Sequence, residues 1–437
     1  MNTVPNILKE RLSSMINELS ESPEVFVRNP GKDFTRNRKL PFETVVQMLI
    51  DMGGNSIYRE LLEKQGYDEN TATASAFVQQ RDKILPDALE YLFHEFTKSH
   101  TDITTYRGYR LLAVDGSDLQ FAANPNDSET TIQNKPDAKG YNLLHLNAMY
   151  DLCNRIYVDA MIQPYRKMNE HKALADMVKR SQIKGNVIII GDRNYECYND
   201  FAHIERKGWK YLIRVKDLGS NGILSGLKLP SGGEFDLCVR RILTKKHTKE
   251  VRTYPEIYRF LSSKTTFDFL DSDTNTFYPI SFRVVRIKIF EDSYETLITN
   301  LNPFEFSAEE LKELYRMRWG IETSFRELKY SVGLTNFHSK KREHIAQEVF
   351  ARMIMYNFSE MIISHIVISQ ADTKHIYQVN FTVAIHICRK FLRCWSNVFP
   401  SDIEALIRKN ILPVRPGRND YRKIRSKTAV SFLYRVA

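Results

Sequence analysis

An α/β fold flanked by helical regions is what the hydrophobic texture of this chain predicts, and three observations carry that prediction. Between about 109 and 216, short apolar runs bounded by Gly, Asn, Asp and Pro read as strands, with two helix-patterned segments between the later ones. From 217 to 302 the pieces are strand-like throughout. Before 105 and after 303, apolar residues recur at helical spacing instead.

The N-terminal region, 1–105, carries FETVVQMLIDM and SIYRELLEKQ as helices, with Gly53 and Gly54 as the break between them. A third segment, SAFVQQRDKILPDALEYLFHEF, is expected to be helical behind Ser75 as N-cap, with Gln79, Gln80, Arg81 and Lys83 exposed. If this is a helix-turn-helix variant, those side chains face DNA; a helical bundle used for packing or dimerisation fits the same pattern.

In 106–216, YRLLAVDGSDLQF, NLLHLNAMYDL and RIYVDAMIQP give three early strands. HKALADMVKRSQ, NVIIIGDRN, ECYNDFAHIERKG and KYLIRVK then alternate helix and strand, the pattern of a mixed sheet. Residues 217–302 add FDLCVRRIL, EIYRFLSS, PISFRVVRIKIF and ETLITNL, an inserted β unit. In SFRVVRIKI the alternation slips at Val284–Val285, as a β-bulge allows. Helix returns in 303–345 behind Ser307, where SAEE fits a capping box. It dominates the C-terminal region, 346–437, whose tail RPGRNDYRKIRSK holds six basic residues against one acid. A solvated tail and an electrostatic clamp on nucleic acid both fit that tail.

The 437 residues carry a net charge of +10 and a pI of about 9.1, which favours a polyanionic partner. VFARMIMYNFSEMIISHIVIS is interrupted by Arg352, Asn357, Glu360 and His365 and reads as a buried helix rather than a membrane span. The first twenty residues lack the apolar run of a secretion signal, and five scattered cysteines fit reduced thiols, so a cytoplasmic protein is expected. HExxH, GxSxG and P-loop patterns do not occur, which argues against zinc proteases, triad hydrolases and nucleotide hydrolases.

The chemistry falls to carboxylates. LLAVD and VIIIGD each end an apolar run in an aspartate, Asp115 before the turn residue Gly116 and Asp192 before Arg193 and Asn194. Asp118 reads as a further turn residue, and Glu170 and His171 as the opening of a helix. In YRMRWGIETSFRELK, taken as one helix, Tyr315, Arg318, Glu322 and Lys329 fall at about 0°, −60°, −20° and −40° around the axis. Leu314, Ile321, Phe325 and Leu328 lie beside them and would anchor the helix to a core. Three carboxylates meeting in space would suit hard divalent cations, and a pair of such ions serves in-line phosphoryl transfer.

The spacing Tyr-x2-Arg-x3-Glu-x6-Lys resembles the YREK motif of the DDE transposases of insertion-sequence family four, relatives of the RNase H-like nucleases. The Arg-Trp pair before Glu322 and the Phe-Arg after it extend the match. VDGSD and IIIGDRNY are similar to that family's first and second catalytic segments. The resemblance implies an RNase H-like core, 106–216 and 303–345, interrupted by a β-rich subdomain. It implies that Asp115, Asp192 and Glu322 coordinate two Mg²⁺ ions, replaceable by Mn²⁺, for cleavage at transposon ends and strand transfer into a target. Tyr315, Arg318 and Lys329 would hold DNA phosphates, with Arg326 and Trp319 as further DNA contacts. The implied partners are double-stranded DNA, at terminal inverted repeats and at the target, and a second copy of the chain at synapsis. Some members cut the second strand through a hairpin that needs an aromatic wedge. Tyr294 stands where the family's best-studied pattern has Trp, and a β-edge aromatic is the other reading of it. Two further functions stay open: a DNA-binding protein that no longer cuts, and an RNase H-like nuclease without strand transfer.

Overall fold

The computed structural model describes residues 3–36, 38–133, 136–137, 140–271, 276–291, 293–370, 375–394 and 402–414. The basic tail at 415–427 lies outside the described residues.

One ten-stranded sheet organises the molecule. Its strands are β1 (Tyr109–Phe121), β2 (Thr131–Ile132), β3 (Tyr141–Asp151), β4 (Ile156–Pro164), β5 (Asn186–Gly191), β6 (Lys210–Val215), β7 (Phe235–Thr244), β8 (Tyr258–Phe260), β9 (Phe277–Phe290) and β10 (Ser293–Thr299). Their order is β2-β3-β1-β5-β6-β10-β9-β7-β8, with β4 also paired to β3. β1 runs antiparallel to β3 but parallel to β5, and β6 continues the parallel part. The strands of 217–302 extend this same sheet, since β10 pairs with β6 and β9 with β10.

Both faces are covered, which is why central strands such as β5 run apolar without alternation, from Val187 to Ile190. On one face, α6 (Glu170–Arg180) and α7 (Tyr198–Arg206) pack through Leu174, Met177, Phe201 and Ile204 onto Leu112, Val114, Ile189 and Ile213. On the other, α9 (Ala308–Met317) covers Leu111, Ile188, Ile190 and Leu297. Beside it, α10 (Trp319–Glu327) buries Ile321 and Phe325 against β1, β3 and β4.

The slip at Val284–Val285 is therefore no bulge. Val284 packs into the core under α7 and Val285 into the core under α9, because β9 is buried on both sides. The irregular register falls instead near the end of β9, where Ile289 is skipped between the Ser293–Phe290 and Tyr294–Lys288 pairs. A short helix, α8 (Lys249–Thr253), also interrupts the otherwise β-rich stretch.

The N-terminal helices α1 (Val4–Glu21), α2 (Phe42–Asp51), α3 (Ile57–Lys64), α4 (Ala74–Arg81) and α5 (Asp87–Lys98) share a core with α11 (Arg342–Ile363) and α12 (Phe381–Arg393). The expected third segment is two helices. α4 is capped by Thr73 rather than Ser75, and Pro86, which lacks an N–H, stands at the start of α5. Arg81 is fully buried, not exposed: it donates to Glu348 at 2.9 Å, Gln347 at 3.1 Å and the His344 carbonyl at 2.7 Å. That excludes Arg81 from a DNA-facing surface.

α11 is the membrane-like segment, and it is buried all round by protein. Among the described residues, no helix is long and apolar enough to cross a membrane. Its polar side chains are paired within the protein: the Asn357 amide exchanges two hydrogen bonds with the Tyr157 main chain, at 2.9 and 2.8 Å, on the edge of β4. Glu360 receives both Nε and Nη2 of Arg155, at 3.1 and 2.8 Å. All five cysteines are free.

Candidate active site

Parallel pairing aligns Val114 of β1 with Gly191 of β5, so the next residue on each strand is an aspartate, Asp115 and Asp192. Here β1 loses its parallel neighbour but not its antiparallel one. It continues through Gly116 to Phe121 against β3, so Gly116 and Asp118 are strand residues rather than turn residues. Asp115 thus stands on a rigid strand at the open end of the parallel ladder. Its Oδ1 accepts from the Gly116 N–H at 2.8 Å, and Asp192 Oδ1 accepts from the Asn194 N–H at 2.9 Å, capping the single 3₁₀ turn Arg193–Tyr195.

Glu322 arrives from α10, which packs on β1. The segment 315–329 is not one straight helix. α9 ends at Met317, Arg318 joins it to α10 through main-chain bonds three residues long, and a π-turn follows over Leu328–Val332. The capping box at Ser307 and Glu310 is formed as expected.

Burial pushes the Asp115 carboxyl up to about 7, and the charges of Asp192 and Glu322 add to the rise. The Gly116 N–H and the Arg318 guanidinium offset it only in part. Two carboxylates therefore act on Asp115 at the sheet end with incomplete compensation. An all-oxygen donor set with excess negative charge on two strands and a helix fits a hard divalent cation.

The remaining expected residues are distributed differently. Arg318 is buried; its Nη2 donates to Glu322 Oε1 at 2.8 Å, and its guanidinium lies 5.6 Å from the Tyr315 ring centre and 5.3 Å from that of Trp319. Tyr315 is only 3% exposed, and its hydroxyl, shielded from solvent, has no hydrogen-bond partner. It therefore presents no phosphate-binding group in this conformation, because its ring fills the core under α9. Trp319 is 60% exposed and Arg326 is exposed. Lys329 Nζ donates to the Asp118 carbonyl at 2.8 Å, tying the π-turn to β1. Arg193 and Asn194 are exposed beside Asp192.

Tyr294 lies just beyond the Thr296–Val215 pair, at the same end of the sheet as the aspartates. Strand alternation puts it on the face of Ile298, opposite Leu297 and Tyr315. The Arg286 guanidinium stacks on it at 3.8 Å and is held by both oxygens of Asp217 at 2.8 Å.

A second constellation was not expected from sequence. On the α6 face of β1, His145 bridges Asp118 through Nδ1 and Glu170 through Nε2, each at 2.9 Å. Burial alone would lower the His145 pKa, but hydrogen bonds to the two carboxylates, and their charges, outweigh it and raise it to about 9. A Cβ on Gly116 would collide with Glu170 Oε1 and His145 Nε2, so the glycine admits this bridge directly behind Asp115. The signal available was alternation: in a strand, Gly116 and Asp118 share a face and Asp115 takes the other.

The chain is 34% identical over 201 residues to the putative transposase InsL for insertion sequence element IS186A of Escherichia coli (strain K12), covering 41% of this chain and 52% of that protein. The same identity and coverage relate it to the transposase for insertion sequence element IS421 of Escherichia coli. The matches span about half the length of these curated relatives. Among solved structures, the piggyBac transposase synaptic complex with hairpin DNA aligns with 96% of this chain and 88% of its own, at 11% identity and a TM-score of 0.45. The family model described as "Transposase DDE domain" matches residues 106–358, more than half the chain and all three carboxylates, and the chain belongs to that family.

Proposed function

We propose that this protein is a transposase that cuts DNA at the ends of its element and joins the freed ends to a target, by metal-dependent phosphoryl transfer at Asp115, Asp192 and Glu322. The observation that carries this reading is the convergence of Asp192, on the adjacent strand end, and Glu322, on α10, toward Asp115, close enough for both charges to raise its carboxyl. Divalent ions, Mg²⁺ in this reading, supply the charge that lets an attacking oxygen approach a phosphodiester. The chain's own part is positioning. The β1–β5 register fixes the two aspartates, and Arg318 orients Glu322 while adding positive charge toward Asp115.

The finer assignment is to the YREK transposases of insertion-sequence family four, with an RNase H-like core. It is supported by the order β4-β3-β1-β5-β6, antiparallel then parallel, and by a β-rich stretch between β6 and α9. In this reading 1–105 is a helical DNA-binding region, 106–216 and 303–345 form the core, 217–302 is the insertion, and 346–437 is the C-terminal region, whose described residues are mainly helical but include one antiparallel pair of short strands, Tyr377–Val379 and Ile411–Pro413. Exposed Trp319, Arg326 and Arg193 would meet double-stranded DNA at the terminal repeats or the target, and two copies would hold two ends. Tyr294 would serve a hairpin step from the opposite sheet face.

The test incubates the purified chain with a plasmid carrying its gene and flanking DNA, with and without Mg²⁺, beside Glu322→Gln. Excision and joined products that need both the ion and Glu322 are the expected result. Cutting without joining would make it a nuclease, and DNA binding without cutting in Mg²⁺ or Mn²⁺ would overturn the catalytic reading.

A further inference from the structure

At the same end of the sheet as Asp115 and Asp192, but on the face that α6 and α7 cover, the N-terminal ends of these two helices bring three different ligand types together. His171 lies in the first turn of α6, Cys197 immediately precedes α7, and Asp200 lies in the first turn of α7. One ligand atom from each, a nitrogen, a sulfur and an oxygen, lies within 4.8 Å of the other two. His171 Nδ1 is 2.7 Å from Asp200 Oδ2. The other carboxylate oxygen, Asp200 Oδ1, is buried without a hydrogen-bond partner, on a residue only 1% exposed. A buried carboxylate oxygen left unsatisfied is costly, and so rare in a native fold. It is a second mark of a ligand site, independent of the clustering.

We propose that His171, Cys197 and Asp200 bind a divalent transition-metal ion of borderline softness, Zn²⁺ being the type, as a clip between α6 and α7. A thiolate and an imidazole select Zn²⁺, Co²⁺ or their neighbours over Mg²⁺, which separates this site from the all-oxygen cluster of Asp115, Asp192 and Glu322. Around tetrahedral zinc, such ligand atoms stand about 3.5 Å apart, so a cluster already within 4.8 Å needs only a small contraction to hold an ion. Binding releases the thiol proton and the proton shared by His171 and Asp200 to solvent. His171 and Cys197 open on a cleft of about 930 Å³ lined also by Asn199, His203 and Asp268, with Asp200 buried behind them, which leaves the fourth position to water. His203, one turn beyond Asp200, is held by Asp268 at 2.7 Å and flanks that position.

The clip has a structural task. α6 and α7 cover β5 and β6 through Leu174, Met177, Phe201 and Ile204, and β5 leads into Asp192. An ion that binds only the folded arrangement stabilises this face.

The experiment uses the full chain without a histidine tag, stripped by chelator and titrated with Co²⁺, then Zn²⁺. The expected result is one Co²⁺ per chain with a thiolate-to-cobalt charge-transfer band, displaced by Zn²⁺. The band persists in Glu322→Gln, Cys153→Ser and Cys238→Ser and vanishes in Cys197→Ser. His171→Gln and Asp200→Asn weaken Zn²⁺ binding by more than about 100-fold, the upper end of what loss of an outer-shell partner costs. A cobalt spectrum with no thiolate band, or a band that survives Cys197→Ser, overturns the proposal and leaves an ordinary His–Asp ion pair beside a thiol. Should the ligand variants fail to fold, alkylation mapping of the wild-type chain decides: Zn²⁺ must protect Cys197 selectively, and unprotected Cys197 refutes the clip.

Discussion

Two parts of this molecule bury charge, and they do so in opposite ways. Between the N-terminal helices and α11, Arg81 meets Glu348, Gln347 and a carbonyl, while Glu348 also receives His338. There, burial works to raise the Glu348 carboxyl, but the His338 and Arg81 charges overcome it and hold the group down at about 2. At the end of the parallel ladder, burial and two further carboxylates push Asp115 up to about 7, and one guanidinium offsets them only partly. Compensated burial marks architecture; uncompensated burial of like charges marks a place where something of opposite charge is to bind.

The largest expected effect breaks the second region. Asp192→Asn should cut strand cleavage by about 10³-fold or more, the upper range for losing one preorganised electrostatic group, with DNA binding kept. A gel assay of cleavage beside a mobility-shift assay measures both; near-normal cleavage would remove Asp192 from the site.

Breaking the first region should harm stability instead. Arg81→Met leaves Glu348 buried without its guanidinium and should cost about 3–5 kcal/mol, read as a lower urea midpoint. An unchanged midpoint would mean that the pair contributes nothing net.

The sharpest contrast is Asp115→Asn, which should abolish cleavage yet stabilise the metal-free chain by roughly 1–3 kcal/mol at pH 8. The folded pKa is raised from 3.8 to about 7, so the wild-type stability from this group is present below about pH 4 and lost as pH rises to about 7. Thermal melts across that window should slope downward for wild type and flatten for the variant. Mg²⁺ should raise the wild-type melting temperature at pH 8 more than that of the variant.

The smallest effect belongs to His145. Its pKa is raised to about 9, so its contribution is complete below about pH 6.5 and is lost as pH rises through about 9. Partial exposure of Asp118 and Glu170 limits this to about 1 kcal/mol. His145→Gln should remove that alkaline slope, and persistence of the slope would place it on another group.

The mixed sheet was legible because β1, β3, β4, β5 and β6 are bounded apolar runs, and the capping box because its four residues are local. The aspartates were legible as carboxylates that end apolar runs. What period and propensity missed depends on partners distant in sequence. Gly116 reads as a turn until β3 is seen to carry β1 onward. Arg81 looks like a solvent-facing helix residue until α11 supplies Glu348 and Gln347. Tyr315 falls on the polar stripe of an ideal helix, but the joint at Arg318 and the core under α9 take it inside. The His145 bridge joins two strands and a helix, and no spacing within one segment encodes it.

The Val114–Gly191 register also sets which changes of length this chain can tolerate. The placing of Asp115 beside Asp192 depends on how many residues each strand contributes before its aspartate, not on the length of chain between them. One residue inserted in β1 ahead of Asp115 would turn that carboxylate to the face now held by His145, and one inserted in α10 before Glu322 would swing it by about 100°. The connections between β7 and β9 lie outside that count, so they are where a lineage of this protein is free to lengthen or shorten without moving a single carboxylate.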